Sequence, residues 1–221
     1  MSFIIAIDGP AGSGKGTIAK KLAAKINATN IDTGAMFRCV ALKALRDNVS
    51  LEEKDRIYKI LENIKIELKP NGEIFLDGEN VSKEIRTEEV SIYASPISTI
   101  KEVREKLLKL QRDMAKSQDV VMEGRDIGTV VFPNANVKIY LDASPEERAK
   151  RRVLQNKEKG IDSDYEEVLE EIKKRDYRDM TRELAPLKRA EDAYYIDSTN
   201  LEINEVLQKI LDIIGKNRID K

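Results

Sequence analysis

The segment Asp8-Gly9-Pro10-Ala11-Gly12-Ser13-Gly14-Lys15-Gly16-Thr17 constrains this chain more than any other stretch. An apolar run from Phe3 to Ile7 precedes it, and Ile18, Leu22 and Ile26 follow at helical spacing. The pattern predicts a strand, a glycine-rich turn and a helix, in that order. Glycines let backbone N–H groups converge on phosphate oxygens, the helix N-terminus adds its positive end, and Lys15 adds a mobile cation. An ordinary strand-to-helix turn needs neither three glycines in six residues nor a neighbouring lysine, so the segment is read as a polyphosphate-binding loop. It departs from G-x-x-x-x-G-K-[ST] at one place. Gly16 stands where Ser or Thr is expected and Thr17 follows, so magnesium is expected at Thr17, directly or through water.

The length of 221 residues suits one α/β core with a small insertion. Lys+Arg 39 against Asp+Glu 40 gives a net charge of -1, which argues against a general nucleic-acid or anionic-membrane binder. No basic n-region precedes the first strand and no apolar run approaches spanning length, so a cytoplasmic protein is expected. There is no histidine and a single cysteine, which excludes intramolecular disulfides, Cys/His zinc sites and histidine bases. Catalysis must rest on Lys, Arg, Asp, Glu and metal. Cys39, among Met36, Phe37, Val40 and Ala41, is expected in the core.

Asn30 to Asp32 reads as a second strand, followed by a helix with Met36, Val40 and Ala44 on one face, which implies a parallel βαβ crossover. A helix is expected over 51–63. The period then changes to alternation at Ile64, Ile66 and Leu68, then at Ile74 and Leu76. Turns at Pro70-Asn71-Gly72 and Asp77-Gly78 separate these from a third strand at Val81. This predicts a small antiparallel insertion, a candidate substrate subdomain. A helix over 101–118 and strands at 119–122 and 137–141 follow, the strands ending at Glu123-Gly124-Arg125-Asp126 and at Asp142. In a parallel sheet, ligands sit beyond the carboxyl ends of strands, so Asp8, Asp32, Glu123 and Arg125 should converge.

Ser144 with Glu147, and Ser163 with Glu166, form capping boxes that open two helices around a polar loop over 156–164. The first helix carries Arg148, Arg151 and Arg152, and the second carries Arg175, Asp179 and Arg182 on one face. Two arginine-rich helices around a loop suit a lid that closes on phosphate. Tyr194 to Ile196 is the last expected strand, and Ile203 to Ile214 a closing helix.

A phosphate loop alone does not separate kinases from GTPases or ATPases. The guanine-reading Asn-Lys-x-Asp pattern is absent, while an insertion and many arginines favour phosphoryl transfer between two bound molecules. Lys15 and the loop amides would meet the donor. Arg38, Arg125, Arg175 and Arg182 are candidates for the acceptor phosphate and the transferred group, and these residues need no histidine base beside them.

Several stretches now carry a specific resemblance. Asp8 to Thr17, Asp32-Thr-Gly-Ala-Met-Phe-Arg38, Glu84-Ile-Arg86, Glu123-Gly-Arg-Asp-Ile-Gly-Thr-Val-Val-Phe-Pro133, Leu141-Asp-Ala-Ser144, Glu147-Arg-Ala-Lys-Arg-Arg152 and Arg175-Asp-Tyr-Arg-Asp179 together resemble bacterial cytidylate kinases, in order, from Ile4 to Ile214. The phosphate loop is widely shared; the Gly-Arg-Asp-Ile-Gly-Thr stretch with the Arg-Asp-x-Arg-Asp helix is far more selective. The resemblance implies an α/β P-loop nucleoside monophosphate kinase fold. Its five-stranded parallel sheet is flanked by helices and carries a small antiparallel β insertion and a short lid. It divides the chain into a core at 1–62, 84–150 and 184–221, a monophosphate-binding insertion at 63–83 with an adjoining helix, and a lid at 151–183.

It further implies transfer of the ATP γ-phosphoryl group to CMP or dCMP. Mg2+ and small-molecule nucleotides are the expected partners, with neither nucleic acid nor membrane, and nothing in the sequence calls for more than a cytoplasmic monomer. Gly9, Pro10, Ala11, Gly12, Ser13, Gly14, Lys15, Gly16, Thr17 and Arg151 would bind ATP. Thr33 and Arg38 would meet the acceptor phosphate region, and Ser95, Arg104 and Asp126 would read the cytosine edge. Arg125 and Arg182 would contact phosphate, and Arg175 with Asp179 would hold the ribose. Glu123 stands where Asp is more usual in the family, and its extra methylene leaves two roles open, ordering magnesium-bound water or an arginine; Thr33 replaces a more usual Ser. The runner-up is a related kinase for UMP, AMP or an alcohol such as shikimate. A nucleotide-dependent switch that transfers nothing is the reading from another class.

Overall fold

The computed structural model describes residues 2–69, 71–158 and 160–219, so Pro70 of the expected insertion turn and Lys159 of the expected lid loop lie outside the described residues. β1 (Ile4–Asp8) runs into the glycine-rich loop and α1 (Lys15–Ile26), and β2 (Thr29–Asp32), α2 (Thr33–Arg46) and α3 (Lys54–Asn63) follow. Three short strands come next, β3 (Ile66–Leu68), β4 (Ile74–Leu76) and β5 (Glu79–Asn80). A 3-10 turn at Glu84–Arg86 precedes α4 (Glu88–Ile97) and α5 (Lys101–Met114). β6 (Val120–Gly124) enters a π-helical turn at Ile127–Val131, and β7 (Val137–Asp142) leads to α6 (Pro145–Glu158) and α7 (Tyr165–Thr181). β8 (Tyr194–Asp197) and α8 (Ile203–Ile219) complete the order.

Five strands form one parallel sheet in the order β2-β6-β1-β7-β8, and β3-β4-β5 form a separate antiparallel sheet. The strands of the parallel sheet are apolar runs because both faces are covered. On β1, Ala6 packs with Met36, Val40 and Leu107 on one face, while Ile5 and Ile7 pack with Leu22, Ile139 and Ile210 on the other. On β6, Val120 and Met122 take the first face and Val121 the second, as a period of two requires. Registers Asp8↔Gly124 and Asp32↔Glu123 set the carboxyl ends of β1, β6 and β2 side by side. The small sheet is not a free-standing unit. Its Ile66, Ile74 and Leu76 belong to the same apolar cluster as α2. Cys39 is buried in that cluster, and burial pushes its thiol up to about 12, as suits a core residue.

Several boundaries differ from the sequence expectation. α3 begins at Lys54 because the chain from Ser50 turns first, the Glu53 carboxylate accepting the Ser50 amide at 2.8 Å. α5 ends at Met114, and β5 lies just before Val81 rather than on it. α6 continues through Asn156 to Glu158, crossing the expected core–lid boundary without a break, and Asp164 rather than Ser163 caps α7 by accepting the Glu167 amide at 3.0 Å. α4 has no bounds in the sequence reading, which places only an adjoining helix beside the insertion. Its buried Val90, Ala94 and Ile97 recur at helical spacing, but Pro96 inside its last turn reads as a breaker. The π-helical turn is unanticipated.

α6 and α7 share a small core of their own, Ala149 with Val168 and Leu169. They are tied to the glycine-rich loop by Arg148, whose buried guanidinium donates to Ala143 O at 2.9 Å, Ala11 O at 3.0 Å and both Asp176 oxygens at 3.1 and 2.5 Å.

Gly9 shows why a side chain is forbidden where β1 becomes the loop. Its φ is +150°, and a Cβ there would sit 2.0 Å from the backbone oxygen of Leu141 on β7. Backbone on a central strand cannot yield. Gly9→Ala should therefore destabilise the protein by on the order of 3 kcal/mol in urea denaturation. An unchanged midpoint would contradict this packing.

Candidate active site

The strand-to-helix geometry places Lys15 in the first turn of α1 with its side chain folded back under the loop. Lys15 is 4% exposed, and its Nζ donates to Pro10 O at 2.6 Å and to Ser13 Oγ at 3.3 Å. Burial, and next Arg125, push its ammonium well below the ordinary lysine range. Glu123, at the end of β6, moves the other way: burial, and next Asp32, push its carboxyl well above the ordinary range. The Gly16 departure has its reason here. A Cβ at Gly16 would lie 2.9 Å from Glu123 Oε1, so a serine or threonine there would crowd this carboxylate. Thr17 and Gly16 are exposed and border the cavity above the loop.

Across from the loop, the start of α2 is capped by Asp32, whose Oδ1 accepts the Ala35 amide at 2.8 Å. Its other oxygen meets Arg38 at 3.0 Å and Arg86 at 3.7 Å. Thr33 donates its hydroxyl to Glu123 O at 2.7 Å. Arg125 donates to Asp179 on α7 at 2.9 Å, and that carboxyl sits below its ordinary range because Arg125 and its fellow arginines outweigh burial. Arg182, at the end of α7, donates to Ala185 O at 2.8 Å and lies 3.7 Å from both Asp126 and Asp179. Burial, then Arg104, pushes its pKa down. Arg175 is pushed down to about 10 by burial and then by Arg125.

Two guanidinium nitrogens, Arg38 Nε and Arg175 Nε, are buried with no partner. A buried donor without an acceptor is costly in a resting fold and is what an anion would satisfy. Deeper in the same cavity, Arg104 on α5 donates to Asp126 at 2.6 Å and to Ser98 O at 2.9 Å, with its guanidinium 5.5 Å from the centre of the Phe37 ring. Ser95 borders this end from α4.

One cavity of about 1480 Å³ joins these parts, larger than the roughly 300–1,000 Å³ that holds a single small ligand. Its lining includes the loop from Ala11 to Thr17, the Ser95, Arg104 and Asp126 group, and Arg151, Leu154, Ser198 and Thr199. Arg151 is held there by Glu147 at 3.0 Å and Ser198 O at 2.7 Å. Thr33, Arg38, Glu123, Arg125, Arg175, Asp179 and Arg182 all border the space.

Three positions stand outside the cavity lining. Gly9 is pressed on β7, and Pro10 turns its carbonyl to Lys15. Asp8, expected to converge with Asp32 and Glu123, lies behind the cavity instead. Its oxygens accept the Ile127 and Gly128 amides at 2.8 and 2.7 Å, and burial holds its carboxyl up to about 6 against those two bonds. Sequence reasoning also missed Asp176 as the partner of Arg148; the i, i+3 spacing of Asp176 to Asp179 hid that one faces α6 and the other the cavity.

Among the described residues no group of three or more His, Cys, Asp or Glu side chains could hold a metal ion alone. A divalent cation here would be carried mainly by ligand phosphates. Thr17 and Glu123 both border the cavity, with Glu123 against Gly16, and fit that sparse donor set.

The cytidylate kinase family matches residues 5–216 of this sequence. Cytidylate kinase of Caldicellulosiruptor saccharolyticus is 56% identical over 215 residues, spanning 96% of this chain and 95% of that protein. The Thermosipho melanesiensis enzyme is 51% identical over 95% of each chain, and that of Pasteurella multocida 47% identical over 97% of this chain and 96% of its own. Among solved structures, a gluconokinase from Sinorhizobium meliloti is similar with a TM-score of 0.52 at 10% identity, covering 97% of this chain and 92% of that one. An uncharacterized protein from Eubacterium ventriosum gives 0.53 at 15% identity over 97% and 99%. Those two likenesses concern the fold. Sequence identity sustained over almost the whole chain carries more: the chain belongs to the cytidylate kinase family.

Proposed function

We propose that this chain transfers the γ-phosphoryl group of ATP to CMP or dCMP, giving CDP or dCDP and ADP. The observation that carries the reading is the single cavity in which a phosphate loop, a cluster of arginines with unpaired nitrogens, and the Arg104–Asp126 pair follow one another. Membership of the family makes the chain a kinase with ATP as donor and nucleotides as substrates.

In this reading the amides of Ala11 to Thr17 and the Lys15 ammonium hold the donor phosphates, and Arg151 flanks the rest of ATP. Arg38, Thr33, Arg125, Arg175 and Arg182 face the acceptor phosphate, and Arg175 with Asp179 the ribose. An acceptor phosphate oxygen forms the new bond to Pγ while the bond from Pγ to the β,γ-bridging oxygen breaks, leaving ADP. That oxygen is ionised near neutral pH, so no base must accept a proton. Lys15, Arg125, Arg175 and Arg182 stabilise the charge spread over the transferring group. Magnesium, carried by the phosphates with Thr17 and, through water, Glu123, would neutralise donor charge. The lid at 151–183 excludes water over the site, and the insertion at 63–83 with α4 forms the wall beside CMP.

Cytosine donates from N4 and accepts at N3 and O2; a carboxylate beside a guanidinium matches that edge, with Ser95 adding a hydroxyl. Uracil reverses the first two. We read the chain as a cytoplasmic monomer without nucleic-acid or membrane partners, in line with its net charge of -1. Among the described residues no helix is long and apolar enough to cross a membrane.

A coupled ADP-release assay with a panel of acceptors tests the function. CMP and dCMP should turn over well and UMP and AMP poorly; robust turnover of UMP or AMP with none of CMP would sink the reading. Asp126→Asn should lower the ratio of kcat/KM for CMP over UMP by about 1 to 3 kcal/mol, roughly 5- to 150-fold, because one partner of the base edge is lost. An unchanged ratio removes Asp126 from base reading.

Protons report on the donor half. A polyanion beside Lys15 and Glu123 raises the pKa of both groups, one held low and the other high in the free protein, so each binds more protons in the complex. Binding of magnesium-free ATP at pH 8 should therefore be accompanied by proton uptake, read as a buffer-dependent heat in calorimetry. Lys15→Ala should remove part of that uptake and cut kcat on the order of 10²- to 10³-fold. Proton release, or near-normal turnover of the variant, would contradict the assignment.

A further inference from the structure

Asp126 occupies the position that precedes the π-helical turn at Ile127–Val131, where an aspartate ordinarily bends back to accept the first free amides of the turn. It does not. Its side chain makes no capping bond, and its carboxylate reaches Arg104 at 2.6 Å and Arg182 at 3.7 Å instead. The amides it leaves are taken by Asp8, from the end of β1, whose two oxygens accept Ile127 N at 2.8 Å and Gly128 N at 2.7 Å. Asp8 is 5% exposed and lies outside the cavity. Gly128 permits the approach, since a Cβ there would be 3.4 Å from Asp8 Oδ2 and 3.2 Å from Lys138 Cδ. The turn is otherwise held by Asp126 O, which accepts Val130 N and Val131 N at 2.8 and 3.1 Å.

We propose that Asp8 is a positioning residue for acceptor recognition: by capping the 127–131 turn from another strand, it frees the Asp126 carboxylate to face the acceptor base. The inference rests on the base-reading role proposed above. Only a carboxylate offers an acceptor to both amides at once. Asparagine turns an NH2 group towards one of them, and alanine leaves both free, so in either variant Asp126 can rotate back onto its own turn. Because Asp8 is also the residue before the glycine-rich loop, one side chain sets the base reader in register with the donor phosphates.

The test uses the full chain with Asp8→Asn and Asp8→Ala, each alone and combined with Asp126→Asn, and reads steady-state kinetics with CMP and UMP as acceptors. Each Asp8 variant should lower the CMP-over-UMP ratio of kcat/KM by about tenfold, with KM for CMP raised far more than KM for ATP. The double variants should be no less selective than Asp126→Asn alone, since both changes remove the same contact. Variants that melt cooperatively yet keep the wild-type ratio overturn the inference, as does an additive loss in the double variants. Failure of both Asp8 variants to melt cooperatively also overturns it, because the carboxylate would then serve folding. A wild type without preference for CMP overturns the functional reading and this inference together, whereas a selective wild type with unaltered variants overturns the inference alone.

Discussion

The parallel pairing of β1 with β6 is the constraint on which the rest of the structure depends. Registered at Asp8↔Gly124, the two strands end together, so the glycine-rich loop that leaves one and the Gly124-Arg125-Asp126 turn that leaves the other start from neighbouring points. β2 ends beside them at Asp32↔Glu123 and delivers the capped start of α2 with Thr33 and Arg38. Three strand ends therefore bring the glycine-rich loop, Arg38, Arg125 and Asp126 together without any long connection. Their relative placement is as rigid as a sheet buried on both faces can make it.

That placement concentrates charge in a poorly solvated space. Arg38, Arg125, Arg175 and Arg182 sit among Asp32, Asp126 and Asp179, and the pairs offset part of the desolvation each ion suffers. The offset is incomplete by design of the contacts. Arg38 Nε and Arg175 Nε stay unpaired, and Lys15 is held by neutral oxygens of Pro10 and Ser13. The site thus presents buried cationic donors whose hydrogen-bonding capacity an anion would satisfy. The Arg148–Asp176 pair works differently, joining loop, α6 and α7 into one support whose bonds are complete.

The sheet and most of the residues that border the cavity were legible in the sequence because their signals are local or periodic. The apolar runs of β1, β6 and β7, the glycine loop, and the alternation at Ile66, Leu68, Ile74 and Leu76 each name an element. What was not legible depends on contacts between distant residues. Nothing local says that Asp8 turns away from the cavity to meet residues 127 and 128, or that Arg148 reaches Asp176. Pro96 masked a helix whose apolar spacing was present, and the turn at Ile127–Val131 spans only five residues and has its first amides capped from another strand. Gly9 and Pro10 belong to the loop motif in the sequence, and only the structure shows that Gly9 packs on β7.

The most direct measurement is a crystal structure of the protein with CMP and a non-hydrolysable ATP analogue bound. The cytosine N4 should lie within hydrogen-bond distance of the Asp126 carboxylate, the CMP phosphate should meet Arg125, Arg175 and Arg182, and the triphosphate should lie in the Ala11–Thr17 loop. A pyrimidine bound elsewhere, with the Arg104–Asp126 pair untouched, would contradict the proposed two-substrate site.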